Sequence, residues 1–266
     1  MAAVTSPIMT VMMRAAEKAA RSLIRDFGEV EQLQVSQKGP GDFVSAADRR
    51  AEKLIQEELA KGQPTYSFLM EESGAVKGSN PDFRWIVDPL DGTRNFLHGL
   101  PHWCISIALE SKGDITHALI HDPVKDEMFT AEKGQGAFIH RNKRLRVSGR
   151  SDLSLALIAT GGIRHGQKQR ERFIKEFVAV QSTLAAPRRF GAAALDMAYV
   201  AAGRYEAFWE RGLKPWDIAA GLLIVKEAGG FIAELDDDKA SAMETGNILV
   251  SNGALFGDLK KVLRAA

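Results

Sequence analysis

At 266 residues and 45% hydrophobic, the chain can bury a sizeable core, as one large domain or as two fused halves, and disorder is excluded. Its 35 Lys and Arg against 34 Asp and Glu leave a formal charge of +1, so no global basic field argues for nucleic acid, although a local patch stays open. The one cysteine, Cys104, excludes an internal disulfide and reads as a small core residue. Arg14, Glu17, Lys18 and Arg21 interrupt the apolar N-terminal stretch, so neither signal peptide nor membrane span is expected and the cytoplasm is the default.

In chain order, Ile8, Val11, Met12, Ala15, Ala16, Ala19, Leu23 and Phe27 recur at helical spacing up to Gly28, which is read as a C′ residue. The next segment, from Lys38 through Asp42 to Asp48, reads as a glycine-rich loop opening a helix that carries Ala51, Leu54, Ile55 and Leu59. Ser45 and Asp48 are spaced like a capping pair, which explains Asp48 locally. The short apolar run Ser67–Met70 then delivers Glu71 and Glu72 from its end, as a buried strand ending in a turn would.

The central stretch runs from Phe83 to Phe96. Trp85, Ile86 and Val87 read as the end of a buried strand, which Pro89 should stop because it lacks an N–H and fixes φ. Asp88 and Asp91 then stand three residues apart on a turn, with the Leu90 carbonyl between them lacking an obvious strand partner. Three hard oxygen ligands can converge there, which is what a hard divalent cation needs. Gly92 permits close backbone approach, and the peptides of Gly92, Thr93, Arg94 and Asn95 can open a helix or turn facing an anion. The competing local account is an ordinary strand, turn and helix with Asp91 or Thr93 as the N-cap.

Alternating runs at 103–109, 115–121 and 126–131 predict an antiparallel meander. His98 and His102 are four apart, but Pro101 and Gly99 argue against a helix that would turn them into a zinc site. Gly161 to Gly166 has the outer glycines of a phosphate loop, yet Gln167-Lys168 follows where Lys-Ser/Thr is needed, so the nucleotide reading fails. The second half reads as a strand near 155–160, helices near 167–184 and 192–202, a strand near 205–209, a helix near 217–228, strands at 230–234 and 247–251, and a closing helix. Helices and sheets are therefore layered without a regular βαβ repeat. Asp217 opens its helix and is explained locally as an N-cap.

The string W-I-V-D-P-L-D-G-T-x-N-F over Trp85–Phe96, followed far downstream by Trp216-Asp217 and Glu227-Ala228-Gly229-Gly230, resembles the two signatures of the inositol monophosphatase family, and most nearly its bacterial SuhB-like branch. The resemblance runs from Lys38 to the last strand. It implies an α+β fold, the layered αβαβα sandwich of the sugar-phosphatase type shared with fructose bisphosphatases, with halves at residues 1–148 and 149–266. The first half would carry most metal ligands, and the second Asp217 and the substrate contacts. It further implies Glu71, Asp88, Asp91, Asp217 and the Leu90 carbonyl as metal ligands, and Glu71 and Thr93, with Asp48 behind Thr93, as the groups that orient and deprotonate the attacking water. Asp91, Gly92 and Thr93 would face the substrate, with Gly191, Ala193, Glu210 and Asp217 around its ring; Lys38 and Asp42 would border the metals. Ser45 and Met70 depart from the usual family residues, the first keeping a hydroxyl and the second bearing on packing.

The implied reaction is Mg²⁺-dependent hydrolysis of a small polyol phosphate monoester, inositol monophosphate first. Four carboxylates and a phosphate of nearly two charges call for about two or three divalent ions, and with no Cys or His in the set Mg²⁺ is favoured over zinc. Fructose bisphosphatase or nucleotide phosphatase activity stands as an alternative, as does a binding role in transcription or RNA processing. Lithium sensitivity and a homodimer are family expectations.

Overall fold

The computed structural model describes residues 5–29, 35–39, 42–140, 142–162 and 167–266. Helix α1 (Pro7–Phe27) starts where Ser6 accepts a hydrogen bond from the Met9 amide at 3.1 Å, with Pro7 in the first turn. Its apolar stripe, including Met12, Ala16, Ala19 and Leu23, is fully buried. The helix ends at Gly28, as the spacing predicts, with that glycine at φ −70° in ordinary right-handed backbone. The expected loop after it contains a two-stranded antiparallel ribbon, β1 (Val35–Gly39) and β2 (Asp42–Ser45), which leads into α2 (Ala46–Gly62).

An eight-stranded sheet follows, built from β3 (Tyr66–Met70), β4 (Gly74–Val76), β5 (Asn80–Asp91), β6 (Cys104–Ser111), β7 (Asp114–Asp122), β8 (Glu127–Glu132), β9 (Gly136–Ile139) and β10 (Lys143–Arg144). Its order is β10-β9-β8-β7-β6-β5-β3-β4, all antiparallel except for β3 alongside β5. The meander read from the alternating runs is thus present as β6, β7 and β8. Helices α1 and α2 cover one face, sealing Trp85, Val87, Trp103 and Ile107 with Met12, Leu23, Ile55 and Leu59.

The second sheet has the order β12-β11-β13-β15-β14, formed by β11 (Leu157–Thr160), β12 (Ala186–Arg188), β13 (Ala207–Glu210), β14 (Phe231–Glu234) and β15 (Ile248–Ser251). Strand β11 is parallel to β12 and β13, and the rest are antiparallel. A short helix, α3 (Thr93–Leu97), follows β5 in the first half. Between the two sheets lie α5 (Ala193–Ala201) and α6 (Pro215–Glu227). Both are apolar nearly all round, as a helix covered on two sides must be. The outer face of the second sheet is covered by α4 (Gln167–Ser182) and α8 (Phe256–Ala265), with α7 (Ala242–Thr245) a single turn. The architecture is an α+β, αβαβα sandwich.

The passage from one sheet to the other is held by Glu206, whose buried carboxylate accepts from Ser148 Oγ at 3.0 Å, the Arg150 guanidinium at 2.6 Å and the Leu157 amide at 2.7 Å. Among the described residues no helix is long and apolar enough to cross a membrane.

Candidate active site

Pro89 does not end β5. The strand continues through it to Asp91, with Asp88 opposite Ser106 and Asp91 opposite Cys104, so that Pro89 and Leu90 together face only Ile105. This is a bulge, where a proline without a ladder N–H is tolerated. Its consequence is geometric. Residues three apart in a regular strand point to opposite faces, but the extra residue restores parity, and both aspartates share the face of Ser106 and Cys104. One carboxylate oxygen of Asp88 accepts from the Leu90 amide at 3.0 Å and so braces the bulge.

Three further elements bring groups to this point. Parallel pairing sets Met70 beside Val87, and the Glu71 amide donates to the Val87 carbonyl at 3.2 Å, which puts Glu71 next to Asp88. From α6, the Trp216 carbonyl accepts the Ser106 hydroxyl at 3.3 Å, so the helix start docks over the residue paired with Asp88 and delivers Asp217. Asp217 is the third residue of that helix, not its N-cap: it reaches back to the Lys214 amide at 2.7 Å. From α5, the Ala194 amide donates to Asp91 at 2.7 Å, with Cys104 Sγ 3.8 Å from the same oxygen.

Burial, first of all, and then the charges of Glu71, Asp91 and Asp217 push the Asp88 carboxyl well above the ordinary carboxylate range. Asp91 is pushed up likewise, by burial and by Asp217 foremost, against the opposing Ala194 hydrogen bond. Such a set is short of positive charge. Among the described residues no three His, Cys, Asp or Glu side chains close into a cage that would hold an ion unaided. The donors gathered here are all oxygens, which fit a hard divalent cation better than zinc. His98 is exposed while His102 turns inward, its Nε2 3.4 Å from Asp196, so this pair does not converge on zinc.

Thr93 is not a cap either. The residue before α3 is Gly92, at φ +92° and with no side-chain cap bond. A Cβ there would lie 3.0 Å from the His102 carbonyl and 3.2 Å from Ala192, so conformation and space both require glycine. The Thr93 hydroxyl donates instead to the Leu90 carbonyl at 3.0 Å. A carbonyl has two lone pairs, and this bond uses one of them.

The second half meets the first through Asn95, whose amide group donates to the carbonyls of His102 and Phe190, both at 2.7 Å. This ties α3 to the segment carrying Gly191 and Ala193, the latter beginning α5. Glu210 ends β13, and the short connection from it leads to Asp217. Asp48 is buried in the first turn of α2, which packs on β5. The side chains of Lys38 and Asp42, and the stretch 163–166 of the Gly161 to Gly166 loop, lie outside the described residues.

Sequence reasoning missed Glu52. Its buried carboxylate accepts from the amides of Glu72 (2.8 Å) and Ser73 (3.0 Å) and from the Ser73 hydroxyl (2.5 Å), and so fixes the turn that follows Glu71. In the sequence it is one acid on a helix, and only its 20-residue reach across space reveals the role. Glu52→Ala should remove the acceptor of the part-buried Glu72 and Ser73 amides, costing about 1 kcal/mol, and should raise the Mg²⁺ concentration for half-maximal activity. Glu52→Gln, which keeps one acceptor oxygen, should recover part of both. Thermal unfolding with a Mg²⁺ titration checks this, and an unaltered Mg²⁺ requirement in Glu52→Ala would contradict it.

A sequence profile of the inositol monophosphatase family matches residues 5–265. An inositol-1-monophosphatase of Mesorhizobium japonicum is 50% identical over 259 residues, 97% of each chain. The Nus factor SuhB of Pseudomonas aeruginosa is 42% identical over 254 residues, 94% of this chain and 93% of that one. The crystal structure of the extragenic suppressor protein suhB from Bartonella henselae superposes with a TM-score of 0.93 at 49% identity, covering 97% of this chain and 99% of that one.

Proposed function

This chain belongs to the inositol monophosphatase family, and from that premise we propose that it hydrolyses inositol monophosphate and similar small polyol phosphates with two or three Mg²⁺ ions held by Glu71, Asp88, Asp91, Asp217 and the Leu90 carbonyl. It is a phosphoric monoester hydrolase, and the family works with a divalent metal. The observation that carries the reading is the gathering of acids around the β5 bulge, where neighbouring charges push the Asp88 and Asp91 carboxyls up. When bound, Mg²⁺ supplies the charge that offsets the phosphate and lowers the pKa of a water molecule.

The chain's own groups do the positioning. Because the Thr93 hydroxyl donates its hydrogen bond to the Leu90 carbonyl, its oxygen faces the attacking water as an acceptor. One hydrogen of that water goes to Thr93 Oγ1 and the other to the Glu71 carboxylate, which leaves a water lone pair directed at phosphorus. Asp48 backs Thr93. Gly92 lets the backbone approach the phosphate, and Gly191, Ala193 and Glu210 meet the polyol ring, with Glu210 accepting from a hydroxyl. The halves 1–148 and 149–266 divide these tasks between metal and polyol, and Asp217 crosses to the metal side. The protein works in the cytoplasm as a homodimer and is inhibited by lithium.

A substrate panel tests the assignment. Phosphate release with Mg²⁺ should show the highest kcat/KM for inositol monophosphate, ahead of fructose 1,6-bisphosphate and adenosine monophosphate. A preference for either of the latter would replace the inositol reading with the corresponding member of the same fold. The relative named Nus factor SuhB favours a second role, as a partner in transcription or RNA processing. Capture of the same transcription proteins by the wild type and by a metal-site variant would support it, and capture by neither would remove it.

A further inference from the structure

Strand β11 ends at Thr160, whose hydroxyl donates to the Trp209 carbonyl at 2.8 Å, and the chain continues as Gly161-Gly162 beside the end of β13. The Glu210 carboxylate occupies the place where a residue 161 side chain would stand: a Cβ on Gly161 would lie 1.8 Å from Glu210 Cδ and Oε2. The Arg189 guanidinium does the same at Gly162, with Nη2 2.6 Å from the position of a Cβ. Both are far ends of long side chains, so an added methyl would move them without unmaking the fold. The Glu210 backbone cannot retreat instead. It pairs with Ile248 of β15, and the next residue is locked, since Arg211 donates to Glu176 at 2.7 Å and to both oxygens of Asp236 at 2.6 and 2.9 Å.

We propose that the side-chain-free Gly161 determines leaving-group specificity, by making the space in which the Glu210 carboxylate is presented to a polyhydroxylated leaving group. A carboxylate accepts from hydroxyls, so Glu210 favours a polyol over a leaving group without them. The inference rests on Glu210 being the polyol contact proposed above.

The test compares kcat/KM for inositol 1-phosphate and for p-nitrophenyl phosphate in Gly161→Ala, Glu210→Ala and the double variant, at saturating Mg²⁺. Gly161→Ala should lower the ratio of the first to the second by about tenfold or more, because a site built to bind hydroxyls loses its discrimination when its polar groups are misplaced. The double variant should match Glu210→Ala, since the overlap is gone. An unchanged ratio in Gly161→Ala alongside a lowered one in Glu210→Ala would overturn the role of Gly161 and leave that of Glu210 standing. An unchanged ratio in Glu210→Ala would overturn the polyol contact itself. If Gly161→Ala does not fold, a folded double variant with the selectivity of Glu210→Ala supports the proposal, and an unfolded one contradicts it.

Discussion

Asp88→Asn should fold at least as well as the parent protein and lose turnover by about two to three orders of magnitude, the scale attached to removing one electrostatic stabiliser of a transition state. The amide keeps the shape of the side chain and an oxygen for the Leu90 amide, so the bulge survives while a ligand charge is lost. The stability expectation follows from the direction of the pKa shift. The folded protein holds the Asp88 proton more tightly than the unfolded chain does. The stability linked to that proton is fully present below the ordinary carboxylate pKa and is lost as pH rises through the raised folded value. In metal-free buffer above about pH 5, clear of general acid unfolding, the parent's unfolding temperature should therefore carry a downward slope with pH that Asp88→Asn reduces. Saturating Mg²⁺ should stabilise the parent more than the variant. Poor folding of Asp88→Asn with normal turnover in the soluble fraction would make Asp88 a structural residue of the turn.

Thr93→Ala separates a hydroxyl that merely braces the bulge from one that orients water. Loss of its bond to the Leu90 carbonyl should cost roughly 1 kcal/mol of stability. Loss of the acceptor that aligns the attacking water should lower turnover by about two orders of magnitude or more, the scale of a general acid–base participant. Thr93→Ser keeps the donor and the acceptor and should restore much of both. Steady-state kinetics with thermal unfolding decides, and a stability loss with near-normal turnover in Thr93→Ala would remove its catalytic role.

How far these expectations could be reached from residues alone varied along the chain. The layered fold was legible because periodicity reports burial: the meander from 103 to 131 and the apolar second-half helices are read directly from spacing. The gathering of Glu71, Asp88, Asp91 and Asp217 was legible only through motif resemblance, since no spacing relates the end of β3 to the start of α6. Local rules misassigned the details. Pro89 reads as a strand terminator, yet β6 carries the ladder past it through the bulge, and tertiary pairing thus overrode propensity. Asp217 reads as an N-cap but is the third helical residue, whose carboxylate accepts from the Lys214 amide as in a capping box, and Thr93 reads as a cap but gives its hydroxyl hydrogen bond to the Leu90 carbonyl. Glu52 left no signal, because its partners lie 20 residues away.

The central expectation is that divalent cations fill a charge deficit at the bulge of β5. Phosphate release from inositol monophosphate by chelator-treated protein, followed while Mg²⁺ is restored, measures this directly. The expected result is no turnover without the ion and a rise in the millimolar range, as weak and hydrated Mg²⁺ binding requires; full turnover in the chelated protein would contradict it.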